Sequence, residues 1–543
     1  MADQLNLDVN DISLKPSRRD FLIGSVLCLA GGAGLSALPG RAFAQISPDA
    51  DTLVIGVSTD VRSMQIPVED PGLMGLLVVN NTTDSLVNRN ASFTELVPGL
   101  AEALPDAPDA LEIVYKIRSG LKFHDGSDLT AKDVLFTLNE VLTNPKSFDR
   151  AIWNEYVSAI DAPDDMSVRF KLKKPWPFLN AWLGNLETPV VQEAAFKAEG
   201  FGRSQWSGSG PFKVTDWKVG NYIRLERADQ AVSPQGAAKM KNVVIRTIPD
   251  ASARLAALEA GQIDVDLNPD PKDVAGAVAD GRFLSHVSPA CGTTLMTFQT
   301  ATKPFDDPRV RLALSLGIDR QQIADAFFYG FAEPAGDLFP SWHWAHDESI
   351  QVKPDLDRAK SLLAEAGASN LSFTAMVMNR QLLIDQAVAI QAQLAQIGVT
   401  MDVRPMEYTT LAGIVSSNDP KQWLGPVAIR IITPLSGTAY EFAYYQYGAE
   451  GPLNSSLFNR DGGRQNPKVE EMLREALKFS DAGPDSNAKA KPQWSAIAEA
   501  LNEDPPQLRL NFFQQVNLTS SKIEGWTAAA ANIVLLRDVA KKN

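Results

Sequence analysis

Apolar runs that read as strands alternate along this chain with capped, periodic stretches that read as helices, but in no fixed rhythm. That pattern restricts the chain to mixed α/β and α+β architecture, and 543 residues exceed what one core holds, so two or three domains are expected. Leu53-Val-Ile-Gly-Val57 is a continuous apolar run, expected as a buried strand. Residues 113–117 and 168–172 are expected as strands, the second because Val168, Phe170 and Leu172 alternate with Arg169 and Lys171. Between them Thr130 and Asp133 form a capping box ahead of Val134, Leu135, Leu138, Val141 and Leu142, one apolar helical face. Residues 212–214 and 222–225 flank a hairpin turn, 243–248 is a strand, and Asp250 caps a helix that ends at Gly261. The following third is richer in helix. Starts are expected at Asp307-Pro308, at Asp319 with Gln322 as a second capping box, and near Leu356 and Leu382. Stops fall at Gly367 and Gly398, a strand follows through Val399, Met401 and Val403, and Asn466-Pro467 opens one more helix.

The N-terminus carries an export address. Ser17-Arg-Arg-Asp-Phe-Leu22 reads as a twin-arginine signal, an apolar Gly- and Ala-rich stretch runs over 21–38, and Ala42-Phe-Ala44 forms an A-x-A cleavage site. A twin-arginine signal peptide is therefore expected over 1–44, with the mature chain starting at Gln45. A membrane anchor is the competing reading, but Gly31, Gly32 and Gly34 weaken it and the cleavage site follows at once. Cys28 lies inside the signal, and Leu27 stands where a lipobox needs a small residue. Only Cys291 survives cleavage, so no internal disulfide forms. The net charge is −14, a balance that argues against nucleic acid, whose phosphates need a basic surface.

Four stretches, in order, resemble the extracellular solute-binding proteins of the oligopeptide, dipeptide and nickel type. The first is Pro98-Gly-Leu-Ala-Glu102 with Tyr115-Lys-Ile-Arg-Ser-Gly-Leu-Lys-Phe-His-Asp-Gly126 and Leu129-Thr-Ala-Lys-Asp-Val134. The second is Gly208-Ser-Gly-Pro-Phe-Lys213 with Trp217 and Leu225-Glu-Arg227. The third is Ala253-Arg-Leu-Ala-Ala-Leu-Glu-Ala-Gly-Gln-Ile-Asp264. The fourth is Lys303-Pro-Phe-Asp-Asp-Pro-Arg-Val-Arg311 with Ala313-Leu-Ser-Leu-Gly-Ile-Asp-Arg320, and Ala359-Lys-Ser-Leu-Leu-Ala-Glu-Ala-Gly367 is a weaker echo. On the residues alone these motifs read as scaffold: turns before helices or strands, with glycines supplying unusual dihedrals.

The resemblance implies an α/β, two-lobed periplasmic-binding-protein fold (type II, cluster C) with an extra domain in the first lobe. Domain I would combine residues 45–82, 208–290 and 505–543, domain II would be 83–207, and domain III, the second lobe, 291–504. Strands near 290 and 504 would be the hinges. It implies a periplasmic monomer that delivers a small-molecule ligand to the membrane subunits of an ABC importer, touching the inner membrane only through them, with no cofactor and no nucleic acid.

In the peptide binders that the chain resembles, a Trp precedes an Asp-x-x-Asp/Glu-Pro pattern whose first Asp holds the ligand's amine. The matching segment here is Gly425-Pro-Val-Ala-Ile-Arg-Ile-Ile-Thr-Pro434, which sets Arg430 at the amine position and Thr433 at the second acid. No carboxylate remains between Asp419 and Glu441. A guanidinium repels an ammonium and accepts a carboxylate bidentately. The expected ligand is therefore a small carboxylate such as an opine-like amino-acid–sugar conjugate or a sugar acid. The competing expectation for Arg430 is a pair with a protein acid. Trp423 and Tyr440 are the preferred aromatic contacts, with Phe442, Tyr444 and Tyr445 near them. Ser63, Met64 and Gln65 fall where the family's N-terminal loop approaches the cleft, and Cys291, Gly292 and Thr293 fall at the hinge strand.

A di- or oligopeptide is the first alternative ligand and nickel or a metal chelate the second. His343, His346, Asp347 and Glu348 cluster within six residues, though a solvent-facing loop is the expected reading. An enzyme is not expected: no G-x-S-x-G elbow, P-loop or H-E-x-x-H is present, and four histidines offer no paired nucleophile.

Overall fold

The computed structural model describes residues 48–542, except 62, 65–71, 91–94, 106, 108, 145–146, 148–149, 185–187, 198–206, 229–232, 235, 291, 418, 435–436, 482 and 529–532. The expected signal peptide over 1–44, Gln65 and Cys291 lie outside those residues. No helix among the described residues is long and apolar enough to cross a membrane.

The expected apolar run becomes strand Thr52–Val57, parallel to Asn242–Thr247 on one side and Val265–Asp266 on the other. These three sit inside a seven-stranded sheet whose remaining strands are antiparallel. Leu53, Ile55 and Val57 pack on one face with helix Gly72–Thr82, Trp526 and Ile533. Val54 packs on the other with Leu258, Phe283 and Leu518. Burial on both faces explains why this strand is apolar without alternation.

A second sheet of six strands pairs Ser372–Met378 in parallel with Thr400–Met406 and Val427–Ile432, then continues antiparallel through Gly292–Phe298, Gln507–Phe513 and Ala332–Pro334. Helix Gln381–Ala395 crosses over its face and ends before Gly398, whose φ of +82° is the left-handed turn that sends the chain back into Thr400–Met406. A third, three-stranded sheet carries Glu112–Lys116, Ser167–Leu172 and Val157–Asp164 under helix Ala131–Thr143. The Thr130–Asp133 capping box forms as expected. The one expected at Asp319 does not close on itself: Asp319 accepts the Gln322 N–H, but the Gln322 side chain turns to Gln393 at 2.6 Å.

The chain leaves the first large sheet for the second after Phe283–Val287 and returns after Gln507–Phe513. The two crossings are tied together: Ser288 N–H donates to the Gln515 carbonyl, and Gln515 N–H to Ser288 Oγ, both at 2.9 Å. This corrects the boundary expected at 505, because residues 507–513 are buried in the second sheet, where Leu508 and Leu510 join its core. The return crossing is at 514–515.

The glycines of Gly208-Ser-Gly-Pro211 serve close approach, not unusual dihedrals, since neither has a positive φ. A Cβ on Gly208 would stand 1.9 Å from the Thr82 carbonyl oxygen, and one on Gly210 2.5 Å from the Thr82 carbonyl carbon. His124 clamps the same turn. Its Nδ1 accepts the Gly208 N–H at 3.2 Å and its Nε2 donates to the Gly210 carbonyl at 2.9 Å, which fixes the neutral tautomer. Burial, opposed in part by the Gly210 carbonyl, holds the imidazole below its ordinary pKa.

A neutral His124 is thus part of the folded state, whereas the unfolded chain titrates at about 6.5. Its contribution is present above that value and is lost as pH falls toward the depressed folded value. His124→Ala should cost about 1–3 kcal/mol at pH 7.5, two lost hydrogen bonds' worth. Its stability should also fall less steeply than the parent's between pH 7 and 5, read by urea unfolding at each pH.

Candidate ligand-binding cleft

Arg430 lies on strand Val427–Ile432, opposite Leu295 of the neighbouring antiparallel strand. Val427, Ala428 and Ile429 are fully buried, while Arg430 itself is half-buried. Its Nη2 donates to Ser455 Oγ at 2.8 Å and to the Leu453 carbonyl at 3.3 Å, and its Nε is buried without an acceptor. No carboxylate pairs with it among the described residues, so the competing expectation of a protein acid is not met. Neutral groups hold the guanidinium from behind, and burial pulls its pKa down to about 10. Thr433, half-buried, follows at the same end of the strand.

A second guanidinium stands at this edge. Parallel strand Ser372–Met378 ends in Asn379 and Arg380, whose N–H groups donate to the Met406 and Met378 carbonyls, each at 2.7 Å. Arg380 is exposed at the N-cap of helix Gln381–Ala395 and likewise has no ion pair among the described residues. Although its side chain reaches solvent, the protein crowded around it desolvates the guanidinium enough to lower its pKa, and the Arg254 guanidinium lowers it further. Arg254 lies on helix Ala251–Glu259, which packs against the first sheet. It pairs with Asp266 at 2.9 Å and donates to the carbonyls of Ile248, Pro249 and Asn268. Those residues follow the carboxyl ends of strands Asn242–Thr247 and Val265–Asp266. The two sheets therefore face each other across their carboxyl edges, the place where ligands bind in open α/β sheets. Arg380 had one signal in the sequence: a helix start given to Arg where Ser, Thr, Asp or Asn is the ordinary choice.

The aromatic contacts divide differently from expectation. Trp423 is buried in a small core with Met376, Met406, Leu411 and Val415, so its ring packs against protein. Tyr440 is enclosed by Trp182 at 5.4 Å, Tyr444 at 5.3 Å and Tyr445 at 5.3 Å. Trp182 comes from the three-stranded region, on helix Leu179–Leu183, and also stacks on Tyr445. Tyr440 is thus a joint between that region and the second sheet's helices, with little ring surface left for a ligand. Arg89 joins the same seam. Its pKa is lowered by burial and raised by Glu441 and Asp481. Asp481 accepts from Trp344 Nε1 and Ala439 N–H at 2.9 Å, yet burial still pushes it up to about 6. The ring that stays 44% exposed is Trp342, whose Nε1 donates to the Ala290 carbonyl at the first crossing.

Near the first sheet, Ser63 is buried at its 9% rim and Met64 is sealed in the core. Gly292 and Thr293 open strand Gly292–Phe298 just past the crossing. A Cβ on Gly292 would strike the Phe513 ring at 2.2 Å, and Thr293 Oγ1 donates to the Asn511 carbonyl at 2.8 Å. Met64, Gly292 and Thr293 are committed to packing rather than displayed to a ligand. The 343–348 loop also departs from expectation. His343 is 3% exposed, stacks on Phe339 at 4.5 Å, accepts the Ala345 N–H at Nδ1 and donates to the Gly437 carbonyl from Nε2. Both ring nitrogens are occupied, and no group of three or more His, Cys, Asp or Glu side chains among the described residues is placed to hold a metal ion.

Residues 95–452 match the family model described as bacterial extracellular solute-binding proteins, family 5 Middle. The chain is 29% identical over 480 residues to the oligopeptide-binding protein AppA of Bacillus subtilis, covering 82% of this chain and 84% of that one. Its fold matches DppA of Helicobacter pylori, solved with the peptide STSA, with a TM-score of 0.79 at 24% identity over 91% of this chain and 98% of that one. It also matches AgaA of A. tumefaciens R10, solved with agropinic acid, with a TM-score of 0.79 at 22% identity over 91% and 99%. Two sheets joined by paired crossings, a third sheet packed against them and a family match over most of the length agree. The chain belongs to family 5 of the bacterial extracellular solute-binding proteins, the ligand-capturing components of ABC importers.

Proposed function

We propose that this chain is exported to the periplasm by the twin-arginine route, cleaved after Ala44, and there captures a small carboxylate-bearing solute for its importer. Opine-like amino-acid–sugar conjugates and sugar acids are the favoured ligands. One observation carries this reading: Arg430 and Arg380 stand at one sheet edge with no carboxylate partner among the described residues. A ligand carboxylate gains a charge-assisted, bidentate pair there. A ligand ammonium 4 Å from Arg430 would instead lose about 4 kcal/mol at the effective dielectric of such sites. A free peptide amine is therefore disfavoured at the position where Arg430 stands.

The working arrangement has a first lobe of residues 45–82, 208–290 and 514–543, with 83–207 as an added domain, and a second lobe of 291–513. A solute touching both carboxyl edges stabilises the closed form by its differential affinity for that form. The Ser288–Gln515 crossings are the hinge, and the closed monomer is what the membrane subunits recognise. Release, not turnover, ends the cycle, so no catalysis is assigned.

Native mass spectrometry of protein purified from cells identifies what is carried; an acidic solute of a few hundred daltons is expected, and a dipeptide would replace this reading. With that ligand, Arg430→Ala and Arg380→Ala should each weaken binding about 10- to 100-fold by titration calorimetry, the loss of a charge-assisted pair. Unchanged affinity in Arg430→Ala removes it from the site. Changing both Arg18 and Arg19 to Lys should leave the precursor, leader attached, in the cytoplasm; normal export would exclude the twin-arginine route.

A further inference from the structure

Inside the second lobe a cavity of about 20 Å³ is lined by Ser315, Arg320, Asp337, Asn502, Tyr447 and Arg509, among others. Arg320 and Arg509 are 4% and 5% exposed. Neither makes an ion pair among the described residues. Arg320 donates to the Arg509 carbonyl at 2.9 Å, the Ser315 carbonyl at 3.0 Å and Ser315 Oγ at 2.9 Å. Arg509 donates to Tyr447 Oη at 2.8 Å, to Gln446 Oε1 at 3.3 Å and to the Phe442 carbonyl, while its Nε is buried without an acceptor. Each guanidinium has five N–H groups, so both retain donors that no described protein group accepts.

The charges do not balance either. Asp337 is the one carboxylate lining the cavity. Its oxygens already accept from Leu338 N–H at 2.6 Å, Asp347 N–H at 2.8 Å and His346 at 3.2 Å. A buried lysine or histidine escapes such a situation by losing its proton; an arginine cannot. Buried charge is otherwise matched by a counter-charge.

We propose that this cavity binds a small inorganic monoanion of halide size, held between Arg320 and Arg509. The volume suits one water-sized occupant, and neither Arg430 nor Arg380 is among the residues that line it. The anion would tie strand Gln507–Phe513, which leads into the return crossing, to Tyr447 and to the segment that carries Tyr440.

Crystals of the mature protein soaked in sodium bromide test this by anomalous scattering. A bromide peak within about 3.5 Å of both guanidinium groups is expected; peaks confined to the surface, with a water in the cavity, overturn the proposal. In solution, bromide or chloride should raise Tm saturably over sodium gluconate at equal ionic strength, and Arg509→Met should lose that response. Identical curves in both salts count against the site. If Arg509→Met fails to fold, the bromide crystal of the parent still decides.

Discussion

Two short stretches of backbone join the large sheets, and the hydrogen bonds between Ser288 and Gln515 make them one joint. The arrangement of the two sheets follows from where that joint lies. It lets each sheet keep its own core, one around Leu53, Ile55 and Ile245 and one around Met296, Val377 and Leu510. The carboxyl edges of the parallel strands are then left free to face each other. Had the return crossing been at 505, strand Gln507–Phe513 would have been lost to the second sheet, and Gly292–Phe298 would have had one neighbour instead of two.

The family motifs turn out to be posts for this frame, and arginine does much of the holding. Arg254 gathers carbonyls from two strand ends while pairing with Asp266. Arg311, fully buried, meets Asp504 and donates to the Pro505 carbonyl at 2.8 Å, just before the returning strand. Arg320 reaches the Arg509 carbonyl on that strand. A guanidinium suits such work because its donors spread in a plane and can gather several carbonyls that no single lysine ammonium would reach in fixed geometry. Those interactions join residues as far apart as 194 positions, which is why the motifs looked like local turns when read in sequence.

What could be read from the sequence was what local rules decide. Caps at Thr130, Asp250, Asp307 and Asn466 and stops at Gly367 and Gly398 appear where expected, because each needs only its own turn of helix. Arg430 stood out in the sequence because a cation takes a position otherwise held by an acid, and the structure gives it no carboxylate partner among the described residues. The packing of Trp423 and Tyr440 was not legible because a ring in a core and a ring in a cleft look alike in sequence; only the neighbours Met376 and Trp182 show it. His343 was taken for a surface residue because two of the groups that enclose it, the Gly437 carbonyl and the Phe442 ring, lie far off in the sequence. Arg380 was passed over because nothing local says which face of the fold a strand end will meet.

The cleft inverts the character of the surface. The chain carries a net charge of −14, so at long range it does not attract an anion. Arg430 and Arg380 nevertheless stand at one sheet edge without a carboxylate partner among the described residues, and Arg380 feels the Arg254 guanidinium, which is itself paired with Asp266. Low-dielectric walls concentrate that local field, and over a few ångströms it outweighs a net charge spread over the whole surface and screened by salt. On the proposed reading, selection happens at contact rather than during approach. On that reading, an anion that reaches Arg430 finds a guanidinium already held by Ser455 Oγ and the Leu453 carbonyl, so little order remains to be imposed there.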